Sequence, residues 1–228
     1  MTFLNKHEDI VLHFLAATIG GFAAMYGIFV RGLFAQAVSA NLTEIIVHFF
    51  LPEKRSDAYL RLGAVLIFGL TLAVAHLINL SKTTHAQSIA AFAIFLLFII
   101  SALIPAGVPM FPATYPLFIL TATLWGNFSG ANGWNSATIF NTNNMRQIIY
   151  SFIDYVVTKD TSKKYRGLFY LGTLVSFYVS AVICLALSFR FREKTAFFGC
   201  VIPCVMVLIL LRGKRIKAKR HEEATDLT

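Results

Sequence analysis

Charge is what this sequence has least of: 14% of its 228 residues are Asp, Glu, Lys or Arg, against 57% hydrophobic. None of the four occurs between residue 83 and residue 145. Soluble domains carry about 25% charged residues, so a water-exposed globule is excluded, and the mean hydropathy of +0.69 agrees. Cysteine is equally scarce. Cys184, Cys200 and Cys204 all stand inside apolar runs, too few for a disulfide framework and without the His, Asp or Glu neighbours that would complete a metal site. A paired-histidine metal motif, a nucleophile elbow, an acidic cluster for magnesium and a glycine-rich phosphate loop followed by Lys are all missing. The expectation is a protein that is not an enzyme and holds no cofactor. The alternation of a membrane barrel is missing too.

What is present are apolar, nearly charge-free segments at about 10–30, 62–81, 86–104, 110–131, 167–189 and 195–211, and about 20 such residues suffice to cross a bilayer. Backbone in lipid must satisfy its own hydrogen bonds, so these segments are read as helices. The fold class is therefore all-α, a polytopic transmembrane helix bundle. Two further segments, about 33–51 and 135–157, have helical length but carry polar and charged residues. Each is expected either to cross facing the bundle interior or to dip in and return, giving six to eight spans.

The net charge of +9 follows from topology. Arg212, Lys214, Arg215, Lys217, Lys219 and Arg220 crowd a short tail directly after an apolar span, which places the C-terminus in the cytoplasm and gives the tail an attraction for anionic lipid. Aromatic residues are not interleaved with these cations and acidic residues follow them, so nucleic acid is not expected as a partner. The segment before the first span lacks a cleavage pattern and reads as the start of a retained span with a cytoplasmic N-terminus. With eight crossings, 14 Lys and Arg lie inside and 5 outside. With six the tally becomes 13 to 7, counting Arg146 as inside, so the positive-inside rule favours eight. The protein is expected in the bacterial cytoplasmic membrane, with its oligomeric state, a homo-oligomer included, left open.

Pro105, Pro109, Pro112 and Pro116 divide the chain nearly in half. The expected organisation is a first membrane repeat at 1–104, a connector and start of the next span at 105–116, a second repeat at 117–211 and a basic tail at 212–228. An offset of 103 residues brings Gly27 onto Gly130, Ser39 onto Thr142, Asn41 onto Asn144, and Ile45 and Ile46 onto Ile148 and Ile149. Four crossings per half would make the repeats parallel, and three would make them inverted.

The same offset lays Asn41, Glu44 and His48 on Asn144, Gln147 and Ser151. Spacings of three and four put each trio on one helix face, and Asn141 and Asp154 extend the second stripe. Polar stripes are costly in lipid and should face each other or a hydrated path. The expected solute pathway is therefore Ser39, Asn41, Glu44 and His48 from one half with Asn141, Thr142, Asn144, Gln147 and Asp154 from the other, the stripes meeting near the midplane. Amide and hydroxyl groups suit a small neutral polar or zwitterionic solute better than a multivalent ion. The competing reading is that the stripes only glue helices together, with Glu44 paired to Arg31 or Arg146. His76, alone in an apolar span, reads as a packing residue.

The run Gly20-Gly21-Phe22-Ala23-Ala24-Met25-Tyr26-Gly27, followed by Arg31-Gly32-Leu33-Phe34-Ala35-Gln36-Ala37-Val38-Ser39-Ala40-Asn41, resembles the YoaK family of small bacterial integral membrane proteins of unknown function. The family's Phe-Ala maps onto Phe34 and Ala35 and its Thr-Gly-Asn onto Ser39, Ala40 and Asn41, with a looser second element at Thr142, Asn143 and Asn144. The resemblance implies an inner-membrane protein, often six-spanning, and no particular substrate. Ala24 stands where the family usually has an intramembrane Asp, and Ala40 where it has Gly, so a mechanism through that Asp is closed to this chain.

Overall fold

The computed structural model describes the backbone of residues 3–81 and 85–225, and side chains within 8–81 and 85–213. Lys6, Lys82 and the tail cations from Lys214 onward lie outside the described side chains. Helix α1 (Phe3–Met25) runs into a π-helical turn (Tyr26–Val30) and ends at Gly32, whose φ of +78° a side chain would strain. An irregular connector leads to the short α2 (Val38–Phe50), and a turn opened by Pro52 starts α3 (Arg55–Leu80). Helix α4 (Ala86–Leu103) stops just before Pro105, as the residue ahead of a proline disfavours helix.

Helix α5 (Met110–Asn127) is followed by the one departure from an all-helical chain among the described residues, a hairpin of β1 (Gly130–Ala131) and β2 (Trp134–Asn135). Its turn is Asn132-Gly133, both at positive φ, the sequence a tight hairpin prefers. Then come α6 (Thr142–Thr158), α7 (Thr161–Phe191), a single turn α8 (Ala196–Gly199) and α9 (Val201–Thr225). The expectation of an all-α bundle holds. Stretches at Glu8–Val30, Pro52–Leu80, Ala86–Leu103 and Thr161–Gly213 are long and apolar enough to cross a membrane, which marks an integral membrane protein.

The outward face explains the composition. Leu66, Leu70, Val74 and Leu77 of α3 are all more than half exposed, a surface suited to lipid and not to water. Helix α5 is the converse: charge-free but richer in Thr and Pro, it is packed inside the bundle, with Leu117, Phe118, Leu120 and Leu124 fully buried. Its Thr114 and Thr121 hydroxyls return to carbonyls one turn earlier, at Met110 and Leu117, so these polar groups reach the core already satisfied.

Glycines let α1 sit at the centre. A Cβ on Gly21 would fall 1.9 Å from the Phe177 carbonyl oxygen of α7, and one on Gly20 equally close to the Thr138 carbonyl oxygen; close backbone approach of this kind is how membrane helices gain packing. Helices α1 and α7 run in the same direction, with Phe14 against Gly172, Gly21 against Phe177, and Phe29 on Phe189. Arg31, just past α1, donates to the carbonyls of Ser101 and Ile104, both at 2.8 Å, at the C-terminal end of α4. Tyr26 Oη donates to the Glu193 carbonyl beyond α7. The C-terminal ends of α1, α4 and α7 thus gather at one end of the bundle, where α5 also begins. At the opposite end Asn79 of α3 donates to the Gly126 carbonyl of α5, and Glu8 of α1 abuts Gly213 of α9.

Candidate functional site

Two polar clusters organise the interior. In the first, Asn41 lies in the first turn of α2 and is 2% exposed; its Nδ2 donates to the Phe34 and Ala37 carbonyls at 3.2 and 3.0 Å, tying the connector to the helix it feeds. Its Oδ1 accepts from Arg61 Nη1 of α3, and Arg61 Nη2 pairs with Glu44. The Arg61 guanidinium also lies over the Phe111 ring of α5, 5.0 Å from its centre. A buried cation is tolerated where a carboxylate, an amide and a ring face share its field. Glu44 stays half exposed while Arg61 is 4% exposed.

The second cluster joins α1, the β2–α6 connector and α6. His13 is buried, with Nε2 3.0 Å from Ser136 Oγ. Ser136 Oγ donates to Asn144 Oδ1 at 3.1 Å, and Asn144 Nδ2 donates to the Ala137 carbonyl and to Asn141 Oδ1 at 2.7 and 3.0 Å. Next to it, Arg166 Nη2 of α7 donates to Gln147 Oε1 of α6, and Arg166 lies over the Tyr170 ring.

Between the clusters the two connectors meet on α1. Gln36 Nε2 donates to the Gly20 carbonyl at 2.7 Å, and the Thr138 backbone touches Gly20 from the other connector. Gln36 Oε1 and Thr138 Oγ1 are buried without a hydrogen-bond partner. Buried polar atoms are nearly always bonded, so these two are exceptions, as are Asn141 Nδ2 and Ser151 Oγ nearer α6.

Of the residues expected to line a pathway, Asn41, Asn141 and Asn144 are buried, while Ser39, Glu44, Thr142 and Asp154 are exposed and His48 and Gln147 lie between. Asn141 and Asn144 are brought together, as are Asn41 and Glu44. The two stripes are not: α2 packs on α3 and α6 on α7, with Asn41 and Glu44 bonded to Arg61 of α3, Asn144 to the β2–α6 connector and Gln147 to Arg166 of α7. Glu44 pairs with neither Arg31 nor Arg146. Arg31 is buried at the α4 carbonyls, and Arg146 donates to Asn143 of its own helix. His76 is exposed near the end of α3.

Six residues in or between these clusters were not singled out by the sequence pattern: Arg61, His13, Gln36, Ser136, Thr138 and Arg166. Arg61 looks like a loop cation because it stands near the start of a span, and His13 is lost in an apolar run. A signal existed only for Gln36, which sits five residues before Asn41 in the connector. Cys184 and Cys200 are buried free thiols, Cys204 is exposed, and among the described residues no group of His, Cys, Asp and Glu is placed to hold a metal.

A family model for proteins of unknown function, DUF1275, matches residues 12–210. The chain belongs to the DUF1275 family. The match takes in both polar clusters and the bundle from α1 well into α9. No curated protein and no solved structure matches the chain.

Proposed function

We propose that this protein is a small-solute transporter or permease of the bacterial cytoplasmic membrane, built from two similar halves of inverted topology. Helix α1 ends, and α3 begins, at the end of the bundle where Arg31 meets α4. The stretch between them, including α2, therefore leaves and returns at one face. At 13 residues α2 rises about 20 Å, short of a hydrocarbon core of about 30 Å. By the same parity α6 leaves and returns at the opposite face, between the end of α5 and the start of α7. Six helices then cross (α1, α3, α4, α5, α7 and α9), three per half, and the cation tally of 13 to 7 still puts both termini in the cytoplasm. This reading replaces the eight crossings that the tally alone favours.

The observation that carries the proposal is the meeting of Gln36 from the first re-entrant element with Thr138 from the second on Gly20 of α1. Discontinuous elements entering from opposite faces and meeting at the midplane are where transporters hold their solutes. Gln36 and Thr138, with Asn141 and Asn144 behind them, present amide and hydroxyl groups suited to a neutral polar or zwitterionic solute. Ser39, Thr142, Glu44, His48, Gln147 and Asp154 would line the approaches from the two faces. The basic tail adds a contact with anionic lipid.

The topology is tested by single cysteines at Ser56 and Ser162 in a Cys-free background, with labelling of Ser56 expected from outside and of Ser162 from the cytoplasm. Transport is tested in proteoliposomes with radiolabelled neutral amino acids and polyols. Uptake is expected in the wild type and loss of it, at wild-type yield, in Gln36→Leu and Thr138→Val.

A second reading, a non-transporting membrane scaffold, is favoured by one observation: the Asn41 and Asn144 amides are consumed by internal carbonyls. It predicts that alanine at these sites lowers folded yield and every activity in the same proportion.

A further inference from the structure

His13 is a buried imidazole that neither the family nor the solute site accounts for. Its neutral ring cannot satisfy every neighbour at once. Asn144 Nδ2 faces two acceptors, so Asn144 Oδ1 must accept, and it needs the one Ser136 hydroxyl proton. With that proton on Asn144, Ser136 Oγ accepts from Nε2 and Nδ1 is left a bare lone pair; with the ring proton on Nδ1 instead, Ser136 must serve Nε2 and Asn144 Oδ1 loses its donor. Nδ1 is buried without a hydrogen bond, although the Phe128 backbone carbonyl stands beside the ring as an acceptor. A proton on Nδ1 would turn two facing lone pairs into a donor and an acceptor.

A route for the proton lies next to it. A polar cavity of about 170 Å³ is lined by His13, Asp9, Gln87 and Gly130 at the end of the bundle that holds the termini, large enough for several waters. Asp9 is one helical turn before His13 on α1 and exposed. Among the described residues, the other charged or titratable side chains at this end include Glu8 of α1, His85 just before α4, Lys163, Lys164, Tyr165, Arg166 and Tyr170 of α7, and Arg212 of α9. Arg166 is held by Gln147 and Tyr170 by the Asn135 carbonyl at 2.8 Å.

We infer that His13 is a proton-binding site, loaded at Nδ1 from the cavity beside Asp9 and linked through Ser136 and Asn144 to the re-entrant helix α6. The step is the transfer of one proton from hydronium in the cavity to the Nδ1 lone pair, with no other bond made or broken. Imidazolium must donate from both nitrogens. Nε2 keeps Ser136, Nδ1 gains Phe128, and the added charge pulls on the hydroxyl that holds Asn144, so proton occupancy and the position of α6 are coupled. This deepens the transporter reading by naming the coupled ion, and rests on that reading only for the use made of the coupling.

The test needs no solute. Trp134 and His13 flank the Phe169 ring, with ring centres 5.2 and 5.0 Å from it, so Trp134 is a built-in reporter once Trp125→Phe removes the other indole. The purified full chain is titrated from about pH 8 to about pH 4, bracketing imidazole, while Trp134 emission and the ring resonances of ¹⁵N-histidine are followed. A one-site emission change is expected, lost in His13→Gln, which keeps a donor toward Ser136 but cannot titrate. Ser136→Ala is expected to retain the ring titration by NMR and to lose the emission change. An emission curve unaltered by His13→Gln, or a His13 resonance that never titrates in folded protein, overturns the inference. Either result leaves the solute-uptake test untouched.

Discussion

Asn41 and Asn144 make the same hydrogen bond: the Nδ2 of each donates to the carbonyl seven residues earlier, Phe34 in one case and Ala137 in the other. Each asparagine lies in the first turn of its helix and pins the irregular connector before it. Their remaining partners differ. Asn41 receives a guanidinium and Asn144 a hydroxyl that leads to an imidazole.

Replacing either with alanine is expected to destabilise the bundle. Asn144→Ala frees the Ala137 carbonyl, the Ser136 hydroxyl and Asn141 Oδ1 together, at about 1–3 kcal/mol per unsatisfied buried group. Asn41→Ala leaves the Phe34 and Ala37 carbonyls each with a backbone N–H partner and takes one acceptor from the Arg61 guanidinium, which keeps Glu44, so it should cost less. Thermal midpoints of the purified proteins in detergent measure both, and equal midpoints would contradict the ranking.

The Arg61–Glu44 pair should respond asymmetrically. Glu44→Ala leaves a buried guanidinium supported only by Asn41 and the Phe111 ring, a loss of about 1–2 kcal/mol because the carboxylate it removes is half exposed. Arg61→Met keeps the packing against Phe111 and leaves behind a carboxylate that is half exposed, so its cost is smaller. The double variant should be more stable than Glu44→Ala alone, a sign that a double-mutant cycle reads directly.

Gly20 and Gly21 are predicted to be irreplaceable, because a methyl at either meets a backbone oxygen at 1.9 Å, and backbone cannot swing aside as a side chain can. Gly20→Ala or Gly21→Ala should abolish the monodisperse peak in size-exclusion chromatography. Gly69→Ala on α3 meets nothing within 4 Å and should be neutral or stabilising by about 0.5–1 kcal/mol.

Asp160, in the turn between α6 and α7, caps α7: Oδ1 accepts from Ser162 N–H at 2.8 Å and Oδ2 from Ser162 Oγ at 2.7 Å. These bonds hold its carboxyl below the usual aspartate value, the Ser162 side chain contributing most. A depressed carboxyl contributes stability that is complete above the ordinary carboxylate range and lost as pH falls through the lowered value. Amide exchange at residues 161–163 should therefore quicken, relative to its intrinsic pH dependence, only in strong acid. Asp160→Asn, which caps without titrating, should remove that extra acceleration.

Much of this molecule can be read locally. A charge-free run of about 20 residues is a helix in lipid whatever surrounds it, so α1, α3, α4, α5, α7 and α9 and the bundle class follow from the sequence alone, as do the two polar segments that became α2 and α6. That Asn41, Asn141 and Asn144 would be buried against partners was legible too, since amides at helical spacing in an apolar chain need them. The identity of those partners was not. Arg61 reaches Glu44, Arg31 seals the end of α4, and His13 is joined to Asn144 across 131 residues only because α1 lies against the second connector. Sequence spacing fixes which residues share a helix face, by the period of the helix. Which face meets which, at what depth, and whether a short helix crosses or turns back depend on the packing of distant segments, and the glycines of α1 decide that only once α7 and Thr138 are in place.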